Sequence, residues 1–448
     1  MNYYAFLFFL FSLQCVCFWI GSKSAKTNSN QDDYFLAGKT VRFFPLMMTF
    51  LATQVGGGLI LGSTEEAYNY GWWVLLYPLG ASLGLLTLSF GLGEKMTRFK
   101  VSTIAQIFEV FYKSPALKKF ASFLSIFSLF LILMAQFIAS KKFMVTVGVE
   151  NPVWFNLFWI IVIAYTTVGG FKAVVATDVI QASFFVFSFI MALIYFVFFG
   201  NSLPLVNEPL DISLPSEKAY GWLFMPLLFM LIEQDMGQRC FAGENGKTIS
   251  NATLWASIAT ILICCIPVYF GTLANQMGIA IPENGSVFMA VVEQLTNPII
   301  TALIACAILA AIISTADSLI NAISSNLSQD FDFSFTKNKI KDAQLITASI
   351  AILGLFSSYL FTNIVDLLIF SYELSVYCLF APIFIAFFKK EGNFYAALFS
   401  ISFGFVSFVF YSIFPFSIPK ELLCVFISFL GYGLGEYVFA KKTVSEKL

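Results

Sequence analysis

The residues Ile312-Ile-Ser-Thr-Ala-Asp-Ser-Leu319 place two adjacent hydroxyls and a carboxylate inside an otherwise apolar stretch. Such groups are costly in hydrocarbon unless they serve a purpose. Ser314 and Thr315 offer neutral oxygens, the ligands that a small hard cation such as Na⁺ prefers, without burying a permanent anion. A lone Ser or Thr in a membrane helix bonds the carbonyl four residues back. A Ser-Thr pair followed by Asp317 in the same span is better suited to an ion. Asp317 itself has three open uses: to take a proton, to pair with a polar group, or to stand in an inner vestibule as part of a gate.

A second unusual stretch is Thr53-Gln-Val-Gly-Gly-Gly58, three consecutive glycines in the middle of another apolar run. Glycine weakens a helix interior by about 1 kcal/mol per residue, so the helix is expected to unwind there. Backbone carbonyls freed in this way must line a cavity or bind something. Close helix packing through small residues is the competing use of the same glycines. A broken helix facing a hydroxyl-bearing one is how secondary transporters build ion sites.

The third cluster is Glu233-Gln-Asp-Met-Gly-Gln-Arg239. Asp235 and Arg239, four apart, can pair along a helix, and with Gln238 they read as a cluster at the membrane boundary, anchored by the arginine. Glu233 lies one or two turns deeper and is a candidate to touch a solute. Its carboxylate favours a solute bearing an amino group, because an anion in low dielectric gains from an ammonium partner. Gln136 and Glu373 are isolated polar residues that could line a pocket.

The elements that must position these residues are transmembrane helices. Of the 448 residues 59% are hydrophobic and only 11% charged, against roughly a quarter charged in soluble proteins. Apolar runs near the ~20 residues that span a bilayer recur from end to end. Thirteen are predicted, near 3–20, 43–64, 72–93, 119–140, 153–168, 179–199, 219–236, 251–274, 298–323, 344–363, 365–387, 393–414 and 418–439. With the N-terminus outside, all but Lys141, Lys142, Lys218 and Lys420 of the 25 Lys and Arg fall on the inner side, as the positive-inside rule requires. The C-terminus is then cytoplasmic. The first run lacks a basic n-region and a clear cleavage site and is expected to be a retained helix.

The loops are short, so no soluble domain is appended; the outer loop Asn201 to Ser216 and the inner loop Ser324 to Asp342 are the main polar inserts. Ile104 to Lys113 has the spacing of a helix, either lying on the inner surface or extending the next span. No loop has the basic density that nucleic acid needs. There is no His, no paired metal-ligand motif and no G-x-S-x-G turn, which leaves an enzyme little to work with. The eight Cys lie in or near apolar runs and are expected to pack the core.

Six segments, in order, resemble the sodium:solute symporter family, whose relatives include proline, pantothenate, sialic acid and sugar symporters. They are Asp33-Tyr-Phe-Leu-Ala-Gly-Lys39, Ala52 to Gly62, Ala135-Gln136, Gly169 to Gln181, Gln234 to Ala242 and Ser314 to Ser318. The resemblance implies an all-α polytopic membrane protein of about 13 transmembrane helices, with a LeuT-type inverted five-helix repeat and a broken first core helix. Residues 1–42 would form a leading helix and inner loop, 43–199 and 218–388 the two repeats, and 389–448 two trailing helices and a cytoplasmic tail. It implies a Na⁺ site made by carbonyls of Ala52, Val55 and Ala311 with the hydroxyls of Ser314 and Thr315. The solute would sit beside the break, near Gln54, Gly56, Gln136 and Glu233, with aromatic rings closing over it.

The expected function is Na⁺-coupled import of a small organic solute, an amino acid, another zwitterion or a carboxylate, in the cytoplasmic membrane. Proton coupling through Asp317 or Glu233 is the alternative within the same fold, and a non-transporting sensor the alternative outside it. The expected partners are solute, Na⁺ and lipid, with no obligatory protein partner evident.

Overall fold

The computed structural model describes residues 1–199, 214–281, 285–331, 333, 335–360, 365–414 and 418–445. The chain runs through α1 (Tyr3–Ala25), α2 (Gln31–Leu36), α3 (Phe43–Gln54), α4 (Ser63–Tyr70), α5 (Leu76–Thr87), α6 (Gly93–Thr97) and α7 (Gln106–Tyr112). It continues through α8 (Pro115–Thr146), α9 (Pro152–Phe199), α10 (Ser216–Phe229), α11 (Gln234–Ala242), α12 (Gly246–Gln276), α13 (Val287–Leu295) and α14 (Pro298–Asp330). The last four are α15 (Lys339–Ser357), α16 (Val365–Ala386), α17 (Phe394–Ile413) and α18 (Lys420–Ser445). Among the described residues no strand forms, only a parallel bridge between Val41 and Gly243. Ten helical segments among the described residues are long and apolar enough to cross a membrane.

Helix starts follow the local chemistry. Asn2, Ser114, Asn245, Asn297 and Asn338 cap their helices by accepting a backbone N–H of the first turn, which satisfies a donor that would otherwise be orphaned. Every residue of α14 from Ile304 to Asn326 is buried. By contrast α1, α17 and α18 expose rows of large apolar side chains, among them Phe8, Phe11, Phe405 and Phe426. The helix carrying Ser314 and Thr315 is therefore the central post, and the outer helices face lipid.

The predicted runs 153–168 and 179–199 form one helical element, the 48-residue α9. At 1.5 Å per residue that is about 70 Å, over twice the ~30 Å of hydrocarbon, so it cannot run straight. It kinks at Gly170, where φ is 62° and ψ −162°, a region that is essentially glycine-only. The predicted surface helix appears as α7, its Ile107, Phe108 and Phe111 turned inward. The predicted inner loop from Ser324 starts later than expected, because α14 continues to Asp330. Its polar end is not in water: Asp330 accepts from Thr103 at 2.8 Å and Ser122 at 2.7 Å, and Asn326 donates to Ser125 at 2.9 Å. Residues 201–213 of the predicted outer loop lie outside the described residues, as do 332 and 334 of the inner one.

The Asp33-Tyr34 segment has a structural task. Ser29 donates to the Asp33 carboxylate through its hydroxyl and its N–H and holds that carboxyl below the usual range. Tyr34, fully buried, donates to the Thr167 carbonyl at 2.7 Å and lies 3.2 Å from the Thr347 hydroxyl. It thereby ties α2 to α9 and α15 beneath the kink. A methyl group added at Gly170 would lie 2.6 Å from the Tyr34 carbonyl oxygen.

Gly170→Ala is expected to destabilise the protein by about 1–3 kcal/mol, read as a lower thermal-unfolding midpoint in detergent. Gly433→Ala, where the added methyl meets nothing within 4 Å, should leave the midpoint in place; equal midpoints for the two variants would disprove the strain at Gly170.

Candidate functional site

The first break is where the glycines predict it. α3 ends at Gln54, and Val55 leaves helical geometry at φ −84° and ψ 66°. A single π-helical turn, Gly58–Gly62, leads into α4. The freed Gly57 N–H finds the side-chain oxygen of Gln136, on α8, at 2.9 Å. The glycines are small because two neighbouring helices crowd them: a methyl on Gly56 would lie 2.9 Å from the Thr315 Cβ and 3.1 Å from the Gln136 oxygen.

Against this break α14 sets its hydroxyls. Ser314 donates to the carbonyls of Ala52 and Ala311, each at 2.9 Å. Thr315 Oγ1 lies 2.9 Å from the Thr53 carbonyl, 3.2 Å from that of Ala311 and 3.4 Å from that of Ala52. Oxygens about 3 Å apart are spaced as neighbouring ligands of one hard cation held at roughly 2.3–2.6 Å. Four of the five predicted ion ligands, Ala52, Ala311, Ser314 and Thr315, thus meet at one point. Val55 is buried at the unwound residue, but the hydroxyls bond Thr53 instead, a carbonyl the sequence reading did not single out. The donor set is neutral and all-oxygen, and it fits Na⁺.

A small cavity of about 40 Å³ adjoins these oxygens. Gln54, Gly56, Gln136 and Glu233, the four predicted solute contacts, all line it. Tyr77 and Tyr372 form an aromatic wall, their hydroxyls 3.4 Å apart, and Phe229 packs on Tyr372 with ring centroids 4.6 Å apart. Thr315 lines the same cavity.

Glu233 reaches it through a second break that the sequence reading did not foresee. The predicted run 219–236 is interrupted: α10 stops at Phe229, a turn follows, and Glu233 adopts φ −70° and ψ 129° before α11 begins. Pro226, inside α10, was the available signal, since proline removes a helix hydrogen bond and favours a kink. Gln234 fixes the far side of the break, accepting the Ile104 N–H at 2.7 Å and donating to the Ser102 carbonyl at 3.2 Å. The Glu233 carboxylate is buried, and its Oε2 has no hydrogen-bond partner among the described residues.

The boundary reading of Asp235, Gln238 and Arg239 is corrected by their burial, which is complete for all three. Arg239 pairs with Asp235 as predicted. It also donates to the Thr49 carbonyl at 3.2 Å, Ser318 Oγ at 2.5 Å, Asp178 at 3.4 Å and the Thr53 hydroxyl. Thr49 donates to Asp178 at 2.5 Å. One guanidinium thus joins α3, α9, α11 and α14 immediately beside the oxygen cluster. Gln238 bridges the Phe35 carbonyl at 2.6 Å and Asn321 at 2.7 Å. Asp317 points away from the ion oxygens, accepting from Tyr165 and Thr166, each at 2.7 Å. Glu373 is outside the central cavity, paired with Lys420 at 2.6 Å.

The sequence profile of the Sodium:solute symporter family matches residues 34–404. The chain is 27% identical over 363 residues to the Sodium/pantothenate symporter of Haemophilus influenzae, covering 76% of this chain and 72% of that protein. It is 26% identical over 355 residues to the Osmoregulated proline transporter OpuE of Bacillus subtilis, covering 73% and 71%. The solved substrate-bound outward-open state of a Na⁺-coupled sialic acid symporter superposes with a TM-score of 0.80 over 98% of each chain, at 18% identity. That likeness is one of fold.

Arg239→Met leaves Asp178 and Asp235 buried without their cation, and breaking such a cluster costs about 3–5 kcal/mol. The expected readout is a large loss of stability in detergent unfolding; a loss below about 1 kcal/mol would mean that the guanidinium does not hold these helices together.

Proposed function

We propose, from the premise that this chain belongs to the sodium:solute symporter family, that it imports a small organic solute bearing an amino group, an amino acid or another zwitterion, together with Na⁺. It is a multi-pass membrane transporter rather than an enzyme, and Na⁺ is its coupling ion. The ion is cargo, held by the oxygens of Ala52, Ala311, Ser314 and Thr315, with Val55 as the further carbonyl brought in when the ion draws the unwound backbone around itself. The solute occupies the adjoining cavity, its ammonium against Glu233 and its remaining polar groups on Gln54, Gln136 and the backbone at Gly56.

The observation that carries this reading is the double position of Thr315, whose hydroxyl belongs to the oxygen cluster while the residue lines the solute cavity. Filling either place orders the same stretch of α3 and α14, so each cargo strengthens binding of the other, as linkage demands. The unpartnered oxygen of Glu233 supports an ammonium-bearing solute, because a buried carboxylate oxygen is expensive until a donor meets it. Repeats 43–199 and 218–388 each contain one of the two broken helices, and alternating access follows from their rocking about the shared cavity. With the N-terminus outside and the C-terminus cytoplasmic, the cytoplasmic membrane potential contributes about 2.3 kcal/mol per charge per 100 mV to uptake. Asp317, fully bonded to Tyr165 and Thr166, acts in this scheme as a gating contact between α14 and α9.

Thermal-shift screening of the purified protein against amino acids, vitamins, sugars and sialic acid, in Na⁺ and in K⁺, tests the pairing of solute and ion by mass action. A shift that needs both Na⁺ and an amine is the expected result; uptake driven by a pH gradient without Na⁺ would overturn it. Ser314→Ala and Thr315→Ala should each raise the Na⁺ concentration for half-maximal uptake about tenfold, the effect of about 1.4 kcal/mol; unchanged Na⁺ dependence would reject these ligands. Glu233→Gln should weaken the amine solute by about tenfold or more, with the oxygen cluster's Na⁺-induced shift retained.

A further inference from the structure

A second cavity, of about 300 Å³, lies where α10, α16 and α18 begin. Its charged lining is Glu66, Glu217, Glu373 and Glu421 with Lys218 and Lys420. Lys218 pairs with Glu66 at 3.4 Å, and Lys420 with Glu373 at 2.6 Å. Both lysines are thereby engaged, and two carboxylates are left over. Glu217 stands at the exposed rim. Glu421 is only 5% exposed; apart from its own backbone N–H it has no hydrogen-bond or ion-pair partner among the described residues. Its Oε1 lies over Gly221 of α10, 3.2 Å from where a methyl would be. A carboxylate sunk this far without a donor from another residue is costly, although the neighbouring Lys420 ammonium acts on it as well as on Glu373, and the surplus of negative charge draws cations into the cleft.

The walls have the matching character. Trp222, Tyr411 and Phe370 supply aromatic surface, and such faces attract ammonium groups within about 6 Å. The chain already uses part of this wall in that way: the Lys218 ammonium stands 4.5 Å over the Tyr70 ring and 5.7 Å over that of Trp222. The two cavities share helices. α10 presents Trp222 here and Pro226 to the central cavity one turn on, and α16 presents Glu373 here and its neighbour Tyr372 there.

We propose that this cavity is a second binding site, taking an organic ammonium group with Glu421 as its counter-ion and Trp222 as its aromatic face. It captures amines one helical turn from the central cavity, and it does so whatever solute the central cavity carries.

The test titrates n-butylammonium chloride into the full-length protein in nanodiscs at low ionic strength, with Kd read from the concentration dependence of the thermal shift. Glu421→Gln should raise Kd about tenfold or more. Glu217→Lys, a charge reversal at the rim that does not touch the packed interior, should raise it too and should lose that effect at high salt. Unchanged Kd in Glu421→Gln overturns the proposal. So does a Kd that weakens in Glu233→Gln and not in Glu421→Gln, which would place the amine in the central cavity. Should Glu421→Gln fail to fold, Glu217→Lys decides alone: an unaltered Kd rejects the site. Failure of the central reading has a different signature, namely uptake indifferent to Glu233 with this titration intact.

Discussion

Hydrocarbon offers no hydrogen bonds, so a helix that breaks inside it must hand its freed backbone groups to something else. The architecture of this chain follows from meeting that requirement twice. At the first break the recipients are Gln136, for the Gly57 N–H, and the hydroxyls of Ser314 and Thr315, for the carbonyls of Ala52 and Thr53. At the second the backbone closes on itself, Leu231 bonding the Leu228 carbonyl and Ile232 and Glu233 that of Phe229, while the Gln234 side chain, clamped by the Ile104 N–H and the Ser102 carbonyl, leaves Glu233 facing the cavity. At the first break two of the groups that repair it, Gln136 and Thr315, also line the cavity. Structural necessity and the lining of the pocket use the same side chains there.

That double use explains why some of the site was legible in the sequence. Hydroxyls in an apolar run and three glycines in a row are anomalies visible one segment at a time, and Ser314, Thr315 and the break at Val55 were found from them. Arg239 was misread because its meaning depends on partners far along the chain: Asp178 is 61 residues away and Thr49 is 190. A charged residue near the end of an apolar run looks like an anchor until those partners are placed around it. The second break was hidden for a related reason. Apolar residues continue through Leu231 and Ile232, so hydropathy alone ran the span on, and only Pro226 marked the weakness. Thr53 rather than Val55 as an acceptor is a matter of how the backbone turns, which residue types do not encode. The kink at Gly170 falls in the gap between the predicted runs 153–168 and 179–199, so the break was legible there; the helical geometry carried on through residues 171–178 was not.

Burying Arg239 beside the ion oxygens divides the labour in this region. Its guanidinium is a permanent cation that meets one oxygen each of Asp178 and Asp235 and joins four helices, while the oxygens next to it are uncharged. An exchangeable cation bound there is held by dipoles alone, and can leave without stranding a bare carboxylate. The strong, permanent interaction belongs to the frame, and the weak one to the cargo.

The separation of Asp178 from Arg239 along the chain also sets a schedule for biogenesis. α9 is synthesised and inserted with its carboxylate already in place, but the arginine emerges 61 residues later, about 3–12 s at 5–20 residues per second. During that interval the carboxylate is in a half-built bundle without its cation. Thr49, on α3 and so made earlier, lies 2.5 Å from Asp178 in the finished protein. A hydroxyl made before the acid, and bonded to it alongside the guanidinium in the finished protein, is a partner that does not have to wait for the arginine.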